Sequence, residues 1–135
     1  MKIDHEYLRG LLTAFEDAEE PYTDIKKLKA AGFDYQTDKF VFHMRLLDDQ
    51  CLIARCDGES GFRLYGGISG YSWAVMQLRL TSSGHDFISA LRDKDVWNVV
   101  TDRFKDEGIS VLVDVVKELA KGFAINKVKS LTGIG

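Results

Sequence analysis

The feature that most constrains this chain is the junction between residues 36 and 53. Phe40, Met44 and Leu47 recur at i, i+4 and i+7, the spacing of one face of a helix. The apolar run Cys51-Leu52-Ile53-Ala54-Arg55-Cys56 follows almost at once, bounded by Asp57-Gly58. A helix read from Gln36 to Asp49 must therefore feed a strand through one tight turn. That fixes helix and strand as neighbours and points to a mixed α+β fold.

The flanking sequence supplies the other elements. Leu8, Leu11, Leu12 and Phe15 mark a first amphipathic helix, opened by Asp4 and ended by Pro21, the only proline. A short second helix starts at Thr23, whose side chain is expected to cap it, with Ile25 and Leu28 inward and Gly32 as its stop. Asp57-Gly58-Glu59-Ser60-Gly61 reads as a turn and Phe62–Tyr65 as a short strand. Residues 66–70 read as a flexible loop, and residues 73–80 as one alternating strand. Thr81-Ser82-Ser83-Gly84 then launches a run of helices. Phe87, Ile88 and Leu91 serve the first of these, Val96, Trp97, Val100 and Phe104 the second, and Leu112, Val115, Val116, Leu119 and Phe123 the last. Three helices followed by a small antiparallel ribbon is the layout of a winged helix-turn-helix domain with a β-wing. The expected organisation is such a domain over 1–84, a C-terminal helical extension over 85–126, and a flexible tail over 127–135.

The chain has 135 residues, of which 45% are hydrophobic and 29% charged, enough apolar material for a core without disulfide or metal staples. No apolar run approaches the roughly 18 residues of a membrane span. The N-terminus lacks a charged-then-apolar signal pattern, so a cytoplasmic protein is expected. Cys51 and Cys56 lie five residues apart, about 16 Å in a strand. They are expected as free thiols, one or both buried.

Two stretches carry a resemblance. Residues 40–53, with Phe40, Met44, Leu47 and the Leu52-Ile53 pair, resemble a winged-helix recognition helix running into the first wing strand. Such a turn usually holds Gly for a left-handed backbone, and here Cys51 stands in its place. Leu80-Thr81-Ser82-Ser83-Gly84-His85-Asp86-Phe87 is similar to the exit from the wing into a dimerisation helix in prokaryotic winged-helix regulators. With the opening Met1-Lys2-Ile3-Asp4 and the continuation Leu91–Trp97, residues 1–123 resemble a domain-of-unknown-function family of small bacterial and prophage proteins. That resemblance implies a winged-helix-like fold and no particular activity.

Catalysis finds little support. Gly67-Ile68-Ser69-Gly70-Tyr71 lacks the second Gly of a nucleophile elbow, and the glycines match no dinucleotide or phosphate loop. His5, His43 and His85 lie on three elements, and Cys51 and Cys56 lack a second ligand pair, so no metal or cofactor is expected. The first expectation for function is a non-enzymatic, DNA-binding transcriptional regulator. Gln36, Thr37, Lys39, His43 and Arg45 would face the major groove. Lys26, Lys27 and Lys29 would contact phosphates, and Arg55 and Arg63 would flank the wing turn.

Against that stand a net charge of −3, the apolar Val41 and Phe42 on the third helix, and the acidic wing residues Asp57 and Glu59. These favour the alternative, a module that binds a host or phage protein. The loop around Tyr71 and Trp73 could dock a partner or stack a base, unless Trp73 packs into the core. The apolar stripes of the C-terminal helices exceed what a small wing domain must cover, so a homodimer is expected.

Overall fold

The computed structural model describes residues 1–67 and 70–133. Among these the chain is mixed α+β, with six helices and two small antiparallel sheets. It divides into two compact units, Met1–His85 and Asp86–Gly135.

The first unit opens with α1, His5–Glu16, capped by Asp4, whose carboxylate accepts the Tyr7 N–H at 3.0 Å. Leu8, Leu11, Leu12 and Phe15 are all buried, as their spacing requires. α2 spans Ile25–Ala30. Its cap is Asp24, which accepts the Lys26 and Lys27 N–H groups at 2.9 Å each. Thr23, expected in that role, is instead drawn into a β-bridge with Leu78, exchanging backbone hydrogen bonds of 2.7 and 2.8 Å. A carboxylate is a stronger acceptor for two amides than a hydroxyl, which leaves Thr23 free to extend.

α3 spans Asp38–Asp49 with Thr37 as its cap. Its C-terminus is a Schellman turn: Leu52 N–H reaches the Leu47 carbonyl at 2.9 Å, and Cys51 N–H reaches that of Asp48 at 3.0 Å. Cys51 holds φ +56°, the left-handed conformation that a glycine would adopt without strain. Leu47 and Leu52, the two ends of the turn's longer hydrogen bond, are both buried and fix the exit angle.

β1, Ile53–Arg55, pairs antiparallel with β4, Leu78–Leu80, in the register Ile53↔Leu80 and Arg55↔Leu78. Leu78 thus lies between Arg55 on one side and Thr23 on the other. α1 packs on α2 and β4, and α3 packs on β1. β2, Leu64–Gly67, pairs with β3, Gly70–Trp73, as a separate hairpin. The expected flexible loop over 66–70 is therefore mostly strand; Ile68 and Ser69 lie outside the described residues. The expected single strand over 73–80 is two strands in two sheets. Between them Ala74 N–H bonds the Arg63 carbonyl, while Cys56 N–H bonds that of Gln77. The chain changes partner there, and the ladder cannot continue straight.

α4, Ser82–Arg92, begins in the first unit. Thr81 anchors it: its N–H donates to the Leu52 carbonyl at 3.0 Å and its hydroxyl to that of Cys51 at 2.7 Å. The same hydroxyl accepts the Gly84 N–H at 3.1 Å. Gly84 is required here, because a Cβ would stand 2.0 Å from the Leu52 carbonyl oxygen.

The second unit holds α5, Lys94–Arg103, and α6, Ile109–Thr132, which pack on each other. Asp93 caps α5 by accepting the Asp95 and Val96 N–H groups. Ile109, Leu112 and Val116 are the buried residues of α6. The helix continues to Thr132 and ends on Gly133 in the left-handed region. Residues 127–132 are thus helical, where a flexible tail was expected over 127–135. Both Cys51 and Cys56 are free and exposed. The expectation of a buried thiol fails because Cys51 sits at the outward apex of the turn and Cys56 lies beyond the last paired residue of β1.

Candidate functional site

The residues expected to read DNA fare very differently from one another. His43 does not face outward; it is fully buried. It lies three residues after Phe40 and four before Leu47, on the row that packs inward. Its Nδ1–H donates to the Lys39 carbonyl at 2.7 Å, and its Nε2 accepts the Asp4 N–H at 3.0 Å. Burial holds its pKa below the ordinary imidazole value. A neutral His43 pins the start of α1 to α3.

Four of the expected DNA-contacting cations carry a carboxylate of the same chain. Lys39 pairs with Asp4 at 2.7 Å, and that bond is the main cause of a lowered Asp4 pKa. Lys27 pairs with Glu20 at 3.1 Å, and Lys29 lies 3.9 Å from Asp34 while donating to Gln36 at 3.2 Å. Arg55 donates to Asp57 at 3.0 Å, raising its own pKa and lowering that of Asp57. Thr37 is occupied too: its hydroxyl accepts the Phe40 N–H and donates to the Asp34 carbonyl. Arg63 is partly buried at φ +65°, with its guanidinium 5.4 Å from the Tyr65 ring. Of the seven expected cations, only Lys26 and Arg45 stand exposed without such a carboxylate among the described residues. Residues 1–85 carry ten Lys and Arg against thirteen Asp and Glu.

The structure gathers a different set. Trp73 packs on Tyr35, Phe40 and Phe62 with ring centroids 5.7 to 5.9 Å apart. Tyr71, two residues earlier on the same face of β3, lies across Gly66. The Arg45 guanidinium sits 5.4 Å from its ring centroid, linking the hairpin to the outer side of α3. Beside them a groove of about 490 Å³ runs between the start of α2 and the hairpin. Ile25 and Lys26 of α2, Tyr35 and Gln36 of the α2–α3 connection, and Tyr71, Trp73 and Val75 line it. Tyr71 is 46% exposed and Val75 52%. Val41 is buried in the core and Phe42 half-buried, and the outer side of α3 carries the exposed Asp38, Lys39, Arg45 and Asp49.

Such a surface can hold an apolar or aromatic side chain and answer one negative charge through Lys26. Among the described residues no three His, Cys, Asp or Glu side chains converge to hold a metal. Among the described residues no helix is long and apolar enough to cross a membrane. The sequence signal for the groove was the alternation Tyr71, Trp73, Val75; Tyr35 carried none, because the fold alone brings the α2–α3 connection to the hairpin.

The fold defines an α+β protein in which three helices, a narrow ribbon and a hairpin precede a helical unit. The chain belongs to the DUF2513 family, described as "Hypothetical protein (DUF2513)", whose model matches residues 2–110. A relative in Haemophilus influenzae (strain ATCC 51907 / DSM 11121 / KW20 / Rd), called "Uncharacterized protein", is 25% identical over 121 residues, covering 90% of this chain and 93% of its own. No solved structure matches the chain.

Proposed function

We propose that residues 1–85 are a winged-helix module whose role is to bind a protein, through the groove and the adjoining side of α3. The connection order supports the winged-helix reading: a one-residue strand at Thr23 between α1 and α2, α3 feeding β1, then the hairpin, then β4 returning between β1 and Thr23. The observation that carries the protein-binding reading is the contrast between charge and exposure. Lys27, Lys29, Lys39 and Arg55 each lie against a carboxylate of the chain, leaving Lys26 and Arg45, while Tyr71 and Val75 stand half-exposed along a groove. A duplex needs unneutralised positive charge to displace its counterions. A protein interface favours half-exposed aromatic rings with an adjoining Arg.

The test places a photo-reactive phenylalanine analogue at Tyr71 in the full chain and irradiates it in host lysate. One protein should be captured, its capture unaffected by excess DNA and lost on Tyr35→Ala with Val75→Asp. DNA binding, the second reading, rests on the connection order and on Lys26 and Arg45. Retardation of DNA that falls steeply with salt and vanishes with Lys26→Glu and Arg45→Glu would replace the protein-binding reading with this one.

A further inference from the structure

The C-terminal half of α6 is a helix without a core. No described residue after Val116 is buried, yet the helix continues for sixteen residues to Thr132, about 24 Å at 1.5 Å per residue. A helical stretch of that length is marginal in water unless packing supports it. Its apolar residues are open to solvent: Ile125 at 52%, Val128 at 59% and Leu131 at 79%.

A groove of about 440 Å³ lies beside this helix within the same unit. α6 contributes Ala120, Phe123, Ala124 and Lys127 to it, and the opposite rim carries Asp86 and Asp93. Leu131 falls four residues after Lys127 and prolongs the groove-lining row beyond the groove's end; Val128 stands on the adjoining row. The charges are complementary. From Lys117 to Thr132 the helix has four lysines and one acid, Glu118. The rim it would meet is acidic.

We infer that the groove lined by α6, Asp86 and Asp93 receives Val128 and Leu131 of a second copy of this chain, forming a twofold dimer. Two antiparallel α6 tails place each apolar end in the other's groove, with Lys127 and Lys129 of one copy against Asp86 and Asp93 of its partner. The arrangement is self-complementary, so it closes at two copies and buries both tails at once. The basic, amphipathic character of the tail also suits an anionic bilayer, but the acidic rim would face the same lipid headgroups and repel them. A second copy satisfies both features.

The experiment is sedimentation equilibrium on the full chain, with far-UV circular dichroism as the folding control. The wild type should be a dimer at about 50 μM, near the concentration at which a micromolar complex is mostly formed. Val128→Glu with Leu131→Glu should make it monomeric, with the helix signal of the packed elements kept and at most that of the sixteen tail residues lost, since both side chains are solvent-exposed in the single chain. Leu131→Ser is the milder variant should the double one lose helicity, and should weaken the dimer at least tenfold. A zero-length carbodiimide cross-linker on mixed heavy- and light-isotope protein should yield intermolecular Lys127 or Lys129 links to Asp86 or Asp93. A wild-type monomer, a dimer indifferent to Leu131→Ser, or a dimer lacking those links would overturn the inference. So would a monomer that binds phosphatidylglycerol vesicles through the same two side chains.

Discussion

Replacing Gly84 by alanine should be far more damaging than its helical position suggests. In most helices this change is favourable, by about 0.5–1 kcal/mol, because alanine has less backbone freedom to lose. At Gly84 the new Cβ would stand 2.0 Å from the Leu52 carbonyl oxygen, against at least 3.0 Å for real contacts. α4 and the β1 entry must then part by about 1 Å. That opening would stretch the Thr81 N–H···Leu52 bond from 3.0 Å past hydrogen-bonding range and loosen the 2.7 Å bond from the Thr81 hydroxyl to Cys51. Overpacking costs about 1–3 kcal/mol, and a backbone carbonyl left unpaired costs about 1–3 kcal/mol more. After the helix-propensity gain the net loss is about 1–5 kcal/mol. Urea denaturation followed by Trp73 fluorescence, in a Trp97→Phe background, reports the first unit alone. The control is Gly122→Ala in α6, where a Cβ meets nothing within 4 Å, read by Trp97 fluorescence in a Trp73→Phe background; it should stabilise its helix by about 0.5–1 kcal/mol. A Gly84→Ala protein with an unchanged or raised midpoint would refute the reasoning.

Other outcomes follow from the same contacts. Cys51→Gly should raise the denaturation midpoint by about 0.5–1 kcal/mol, since it relieves the left-handed strain, while Cys51→Val should lower it; equal effects of the two would count against strain at that turn. Because the folded His43 pKa is depressed, its contribution to stability is complete above the unfolded pKa of about 6.5 and declines as pH falls below it. One proton limits the slope to about 1.4 kcal/mol per pH unit. His43→Leu should flatten the stability profile between pH 7.5 and 5.5, and a wild-type profile no steeper than the variant's would show that the imidazole is not held neutral. His43→Ala should cost about 2–4 kcal/mol at pH 7.5, from the cavity and the orphaned Asp4 N–H, as read by the same denaturation series. Both thiols should react with Ellman's reagent in the native state, two per chain, at rates that denaturant barely changes.

The sequence alone determined the helices of the first unit and the path between them. Those signals are contiguous: the Leu8–Phe15 stripe, the Asp4 cap, the Phe40–Met44–Leu47 row, and the turn at Cys51. Even the inward placement of His43 was readable, because it falls on that row; the polarity of imidazole argued for the surface, and two hydrogen bonds overrule it. Tertiary structure alone decided the electrostatics and the groove. Lys39 meets a carboxylate 35 positions away, and Tyr35 meets Trp73 38 positions away. Neither pairing has a local period to announce it. Charge pairing and concavity depend on which surfaces the fold brings together, whereas caps and stripes depend only on neighbours along one helix.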